Sequence, residues 1–168
     1  VSSDKKHSKQ IRVATKTLGI CPGSEEVYLA LRGLPTLNLR MKQIETNALK
    51  MAIKLSNHPL VDKIYHPALD TSINHHIWKR DFSGSSGLFA FSLKNLHSQD
   101  KIKKMFSKLK IFKLGYSWGG YDSLITFPPL SKRKFKSQFK GNLIRLYCGL
   151  EDSEDQIKDI FTGLKALN

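Results

Sequence analysis

NLIRLYCG, Asn142 to Gly149, alternates its side chains between two faces. Ile144, Leu146 and Cys148 share one face, and Leu143, Arg145 and Tyr147 share the other, the period of two that an extended strand imposes. Arg145 is therefore expected on a rigid element, its position set by its neighbours. The stretch leads into a helix whose packed side is Ile157, Ile160, Phe161, Leu164 and Leu167. Ser153, with Gln156 three residues later, has a capping-box pattern that predicts the helix start.

Working outward, GLFAFSL (87–93) reads as a second strand with Phe89, Phe91 and Leu93 on one face, and VDKIY (61–65) as a third. IFKLG (111–115) and SLITF (123–127) are two more candidates, and they bracket the loop GYSWGGYDSL (115–124). The FPPL segment (127–130) stops the chain from continuing as sheet. QDKIKKMFSKLK (99–110) is an amphipathic helix with Ile102, Met105, Phe106 and Leu109 on its apolar side. SEEVYLALRGL (24–34) predicts a helix with Ser24 as N-cap and Gly33 near its end. A longer helix follows Pro35, with Leu37, Met41, Ile44, Ala48, Met51, Ala52 and Leu55 as its stripe, and NHP (57–59) closes it. LDTSINHHIW (69–78) reads as a polar stretch, as do the first sixteen residues. Strands with hairpin-like neighbours among irregularly spaced helices predict an α+β fold, an open α/β sandwich with a mainly antiparallel sheet covered by helices.

With 168 residues, 40% of them hydrophobic, the chain can build one substantial core. A formal charge of +14 brings nucleic acid, an acidic partner and anionic small molecules into consideration. The basic residues fall in two groups, Lys101 to Lys113 and Lys132 to Lys140, but the first is the wet side of a helix and the second a loop. No RRM, KH or zinc-finger pattern accompanies them, so a solvated basic surface is the ordinary reading and nucleic acid an unlikely partner. Cys21 and Cys148 are too few for a disulfide framework and fit a reducing, cytoplasmic setting. No secretory signal or membrane-spanning run is visible, so no membrane partner is expected.

The chemical candidates are few. Arg145 could pair with a structural carboxylate or present its fork of donors to a substrate carboxylate, and local sequence does not decide. Tyr116, Ser117 and Trp118 could form a tight turn with aromatic packing or the wall of a pocket that holds an indole and a hydroxyl at fixed angles. The loop spacing is neither GxGxxG nor GxxxxGK[ST], which argues against a nucleotide cradle. Lys16, in VATK, is one of 28 basic residues and reads as solvated. His75 and His76 are adjacent, without the i,i+4 spacing or cysteine pair of a metal site, so no metal is expected. Cys148 reads as an inert small hydrophobe.

Taken together, GYSWGGYDSL and the later GNLIRLYCGLED resemble the C-terminal part of the pyridoxal-phosphate-dependent enzymes of cysteine and methionine metabolism, in particular their cystathionine beta-lyase branch. RGLPTLNLRM (32–41), HPAL (66–69) and WKRDFSGSSGLFAFSL (78–93) are similar in the same order, so the resemblance covers essentially the whole chain. SWGG in place of the SLGG typical of gamma-synthases and gamma-lyases favours the beta-lyase branch. Asp122 departs from the glutamate usual in the YES segment.

The resemblance implies the small C-terminal domain of an aspartate-aminotransferase-like fold, with residues 57–168 as the substrate-side domain. It implies that residues 1–56 are a connecting segment with helices packed on a cofactor domain. It makes Arg145 the ligand of the substrate α-carboxylate and places Tyr116, Ser117 and Trp118 on the substrate side of the pocket. The parent activity it implies is carbon–sulfur bond cleavage of L-cystathionine to homocysteine, pyruvate and ammonia in methionine biosynthesis, by a homotetramer. Another sulfur amino-acid lyase, such as a cysteine desulfhydrase, and a polyanion-binding module are the alternatives. The family's cofactor-bearing lysine lies in a TK segment followed by a GHSD-like sequence, whereas TLGICPG follows Lys16. The catalytic lysine and the other cofactor-binding residues are thus expected upstream of Val1, and this chain alone is expected to bind no pyridoxal phosphate and to be inactive.

Overall fold

The structure, a computed structural model, describes residues 4–128, 130 and 140–167. Positions 132–139 of the second basic group and Pro129 of the FPPL segment lie outside the described residues. The chain forms two compact units, residues 1–38 and 39–168.

The first unit carries α1 (Lys5–Thr17), α2 (Ser24–Gly33) and a 3-10 turn (Leu34–Thr36). Where sequence pattern suggests only a polar stretch, the chain forms the thirteen-residue α1, started by an Asp4 carboxylate that accepts from the Lys6 N–H at 2.8 Å. None of its residues is buried, so it has no packed stripe for a periodicity argument to find. Ser24 is the first helical residue of α2, not its cap; Gly23 holds the cap position with no side-chain hydrogen bond. Val27, Tyr28, Leu31 and Leu34 are exposed.

The second unit is built on a five-stranded sheet in the order β1-β2-β5-β4-β3. Its strands are β1 (Val61–Tyr65), β2 (Leu88–Leu93), β3 (Lys113–Leu114), β4 (Leu124–Thr126) and β5 (Leu143–Tyr147). Every pairing is antiparallel except β3 with β4. The helices are α3 (Leu37–Ser56), which begins at the end of the first unit, α4 (His75–Asp81), α5 (Gln99–Phe106) and α6 (Ser153–Lys165). This is the α+β fold that the strand and helix patterns predict.

The core forms where α3, α5 and α6 bring their apolar stripes to the sheet. Ala48, Met51, Ala52 and Leu55 of α3 join Phe91 and Leu93 of β2, Ile144 and Leu146 of β5, Ile102 and Met105 of α5, and Ile160 and Leu164 of α6 in one cluster. The α3 stripe begins at Ile44: Leu37 and Met41, expected to be packed, are exposed. Polar Asn47 is fully buried within that stripe. The Asp159 carboxylate on α6 accepts the backbone N–H groups of Lys110, Ile111 and Phe112 at 2.8, 2.9 and 3.0 Å, which fixes the approach to β3.

Two further expectations are corrected. The α6 cap is Asp152, whose carboxylate accepts from the Glu154 and Asp155 N–H groups; Ser153 lies inside the helix and Gln156 points into a buried network. The stretch LDTSINHHIW is not wholly irregular, because His75 to Trp78 begin α4.

His66 sits at the end of β1 and is almost wholly buried. Its Nδ1 accepts the Ala68 N–H at 3.2 Å, so the neutral ring carries its proton on Nε2. Burial drives its pKa below the ordinary value of 6.5, with the nearby Glu45 opposing the shift. Because the unfolded ring protonates more readily, stability holds above that value and falls as pH drops through it. His58 and His97 shift the same way, mainly through burial. Urea midpoints at pH 7.5 and 5.0 are expected to differ, and a folded His66→Asn variant should show a smaller difference. An unchanged difference would remove His66 from that account.

Candidate functional site

The site grows from the edge of the sheet. Between β3 and β4 the chain runs through the loop 115–123, and the two flanking strands lie parallel, Lys113 beside Leu124 and Leu114 beside Ile125. A loop that returns the chain in the same direction must make a complete circuit rather than a hairpin. Gly119 supplies part of that path with a φ of 102°, a region that side-chain-bearing residues rarely enter.

β5 holds this loop from beside the strand. The Arg145 Nη2 donates to the Tyr116 carbonyl at 2.6 Å, and the Tyr147 hydroxyl donates to the Gly120 carbonyl at 2.8 Å. Just past the strand the Leu150 N–H donates to the Tyr121 carbonyl at 2.8 Å. Arg145 and Tyr147 lie two apart on one strand face, which is why both reach the same loop. A side chain at Gly149 would overlap the Tyr121 carbonyl oxygen, so glycine there permits the loop to close on the turn. Burial raises the Tyr147 pKa, which keeps its hydroxyl a donor at neutral pH.

The loop does not pack its rings away. Tyr116, Trp118 and Tyr121 are 71%, 56% and 71% exposed, which removes the reading of a turn filled by aromatic packing. Tied by its backbone carbonyls, it presents two phenols and an indole outward. Arg145 is half-buried, opposite Ala90 of β2 and Thr126 of β4, with no structural carboxylate among its described hydrogen-bond partners. The structure thus brings Arg145 to Tyr116, while Ser117 and Trp118 follow on the same exposed loop. Tyr147 was missed in sequence, although its place two residues after Arg145 was a usable signal. Asp122 forms an exposed ion pair with Lys113 at 2.8 Å.

The other candidates lie elsewhere. Lys16 is exposed on α1. His75 faces Asp70 at 3.1 Å and the Pro67 carbonyl at 3.1 Å, and among the described residues no group of three His, Cys, Asp or Glu side chains could hold a metal ion. No described helix is long and apolar enough to cross a membrane. Cys148 is fully buried and burial pushes its thiol pKa far up, with Glu151 adding to the shift, whereas Cys21 is exposed. One thiol of the native chain is therefore expected to react rapidly with Ellman's reagent and the other only on unfolding. Two equally fast native reactions would contradict the burial.

Every described lysine is solvent-exposed. A lysine that tethers an aldehyde cofactor works desolvated within a pocket. No described lysine therefore has the desolvated setting that such a tether uses.

The sequence profile of the Cys/Met metabolism PLP-dependent enzymes matches residues 1–165. The chain belongs to this family. It is 40% identical over 160 residues to a cystathionine beta-lyase of Escherichia coli K12, covering 92% of this chain and 40% of that protein. It is also 40% identical over 157 residues to an L-alanine/L-glutamate racemase of Wolbachia pipientis wMel, covering 90% of this chain and 38% of the relative. The chain thus spans about two fifths of the length of these members of the family. A cystathionine gamma synthase of Xanthomonas oryzae pv. oryzae superposes with a TM-score of 0.86 at 28% identity, over 99% of this chain and 44% of that one. The sheet wrapped by helices is accordingly a C-terminal-type domain of the family, and the chain is similar in sequence to members named as lyase and racemase and in structure to one named as a synthase.

Proposed function

We propose that this chain is the substrate-side C-terminal domain of a pyridoxal-phosphate-dependent cystathionine beta-lyase, whose whole protein cleaves L-cystathionine to homocysteine, pyruvate and ammonia. The observation that carries the reading is the Arg145 guanidinium tied to the loop that bears Ser117 and Trp118. Of its five N–H donors one is taken by the Tyr116 carbonyl, and those that remain can donate to a substrate α-carboxylate. The loop supplies an aromatic wall along the rest of an amino-acid substrate. Trp118, where gamma-synthases typically carry leucine, favours the beta-lyase branch over its relatives.

The cofactor, when bound by the whole enzyme, supplies the sink for the electrons released at Cα. The contribution of this chain is to bind one end of the substrate and fix its angle, so that the Cα–H bond is presented in one orientation. The reading assigns residues 1–56 to a connecting segment that packs on a cofactor domain and residues 57–168 to the substrate side. It also carries a cytoplasmic homotetramer as the parent assembly.

The test is to incubate this chain with pyridoxal phosphate and L-cystathionine, reduce with borohydride and assay pyruvate. No pyruvate and no reduced adduct on a defined lysine are expected. Turnover together with a single borohydride-fixed adduct on one of its lysines would overturn the assignment of the cofactor lysine to another part of the protein.

A further inference from the structure

The loop is anchored a fourth time, at its far end, by a buried polar cluster. Ser123 is its last residue before β4 and is completely buried. Its backbone N–H donates to Glu151 Oε1 and its hydroxyl donates to Glu151 Oε2, both at 2.8 Å. The same hydroxyl accepts from the Gly149 N–H at 2.8 Å and from Gln156 Nε2 at 3.1 Å. A hydroxyl has one proton to give and two lone pairs, and here all three are engaged, so its rotamer has no freedom left.

The cluster extends to two helices. Gln156 on α6 also lies 3.2 Å from Glu151 Oε2 and 3.3 Å from the Gly149 carbonyl. Asn47 on α3 donates to the carbonyls of Gly149 and Glu151, both at 2.9 Å, and accepts from Gln43 at 2.8 Å. Ser123, Gln156 and Asn47 are all completely buried. Burying this many polar groups is a poor route to stability compared with an apolar core, but a connected network fixes geometry. What it fixes is the spacing between the turn after β5 and the end of the aromatic loop.

We infer that Glu151 is a positioning residue: through its carboxylate contacts with Ser123 and Gln156, on a backbone that Asn47 holds, it sets the Tyr116 to Tyr121 arc at one distance from Arg145. The inference rests on reading that arc as the substrate wall. A carboxylate is suited to this role because it accepts from Ser123 twice and from Gln156 without needing a proton of its own. Glu151→Gln keeps the size but replaces one acceptor with an amide NH2, which faces donors already in place.

The chain contains two tryptophans, Trp78 on α4 and Trp118 in the loop, so 5-fluorotryptophan labelling gives one probe of the arc and one internal reference. Without ligand, Glu151→Gln is expected to shift or broaden the Trp118 fluorine resonance and leave that of Trp78 in place. Its affinity for L-cystathionine is expected to fall by roughly three- to tenfold, the worth of a neutral hydrogen bond. Leu164→Ala destabilises the core without touching the cluster and should leave the Trp118 resonance unmoved. Ser123→Ala removes one hydroxyl and serves as the second probe. Folded Glu151→Gln and Ser123→Ala proteins with wild-type Trp118 resonances and wild-type affinity would overturn the inference. If the wild-type chain shows no shift of Trp118 with L-cystathionine while Glu151→Gln still moves the ligand-free resonance, the positioning role stands and the substrate reading falls.

Discussion

Replacing Phe91 with alanine is expected to destabilise the second unit by about 3–5 kcal/mol, the range found when a packed aromatic is truncated. Phe91 lies in β2 between Ile64 of β1 and Ile144 of β5 and is completely buried. The loss combines the transfer of a large apolar side chain with a void that surrounding strands cannot refill, since their register is pinned by neighbours on both sides. Against the usual total of about 5–15 kcal/mol for a domain, that is a large fraction. Urea unfolding monitored by circular dichroism measures it directly. Phe82, which is exposed, provides the contrast: Phe82→Ala is expected to change stability by less than about 0.5 kcal/mol. Comparable costs for the two would show that the sheet centre is not the core.

Truncating Arg145 should have the largest effect on ligand binding. A hydrogen bond to a charged group is worth about 1.5–3 kcal/mol, so Arg145→Ala is expected to weaken L-cystathionine binding by roughly ten- to a hundredfold. Arg145→Lys retains the charge but loses the planar fork, and most of the defect should persist. The informative comparison is with a cystathionine analogue lacking the α-carboxylate. Wild-type protein should discriminate strongly against it and Arg145→Ala weakly, as measured by the fluorine resonance of Trp118. Equal discrimination by both proteins would place the carboxylate elsewhere. The tie from Arg145 to the Tyr116 carbonyl at 2.6 Å adds a second consequence, because its removal also frees one anchor of the loop.

The strands were legible where one property dominated. Phe89, Phe91 and Leu93 alternate with smaller residues, and Ile102 with Met105 keeps helical spacing, so β2 and α5 follow from periodicity alone. α1 and α4 were not, because neither buries a residue and propensity by itself is a weak signal. The cap of α6 was misread for a related reason: Ser153 and Gln156 have the right spacing, but Asp152 reaches the orphan N–H groups and Gln156 is drawn into the core by Ser123.

At the site the division is similar. The amino-acid sequence by itself determined the family resemblance, the alternation that sets Arg145 on a strand, and the aromatic character of the loop, since each is a matter of residue type and local spacing. Only the tertiary structure decided that Arg145 meets the Tyr116 backbone and that Glu151 grips Ser123, contacts made across 29 and 28 positions of chain. Hydrogen bonds of that kind have no period. They exist because β4 and β5 pair side by side and bring the loop against the turn that follows, an outcome of packing that neighbouring residues do not encode.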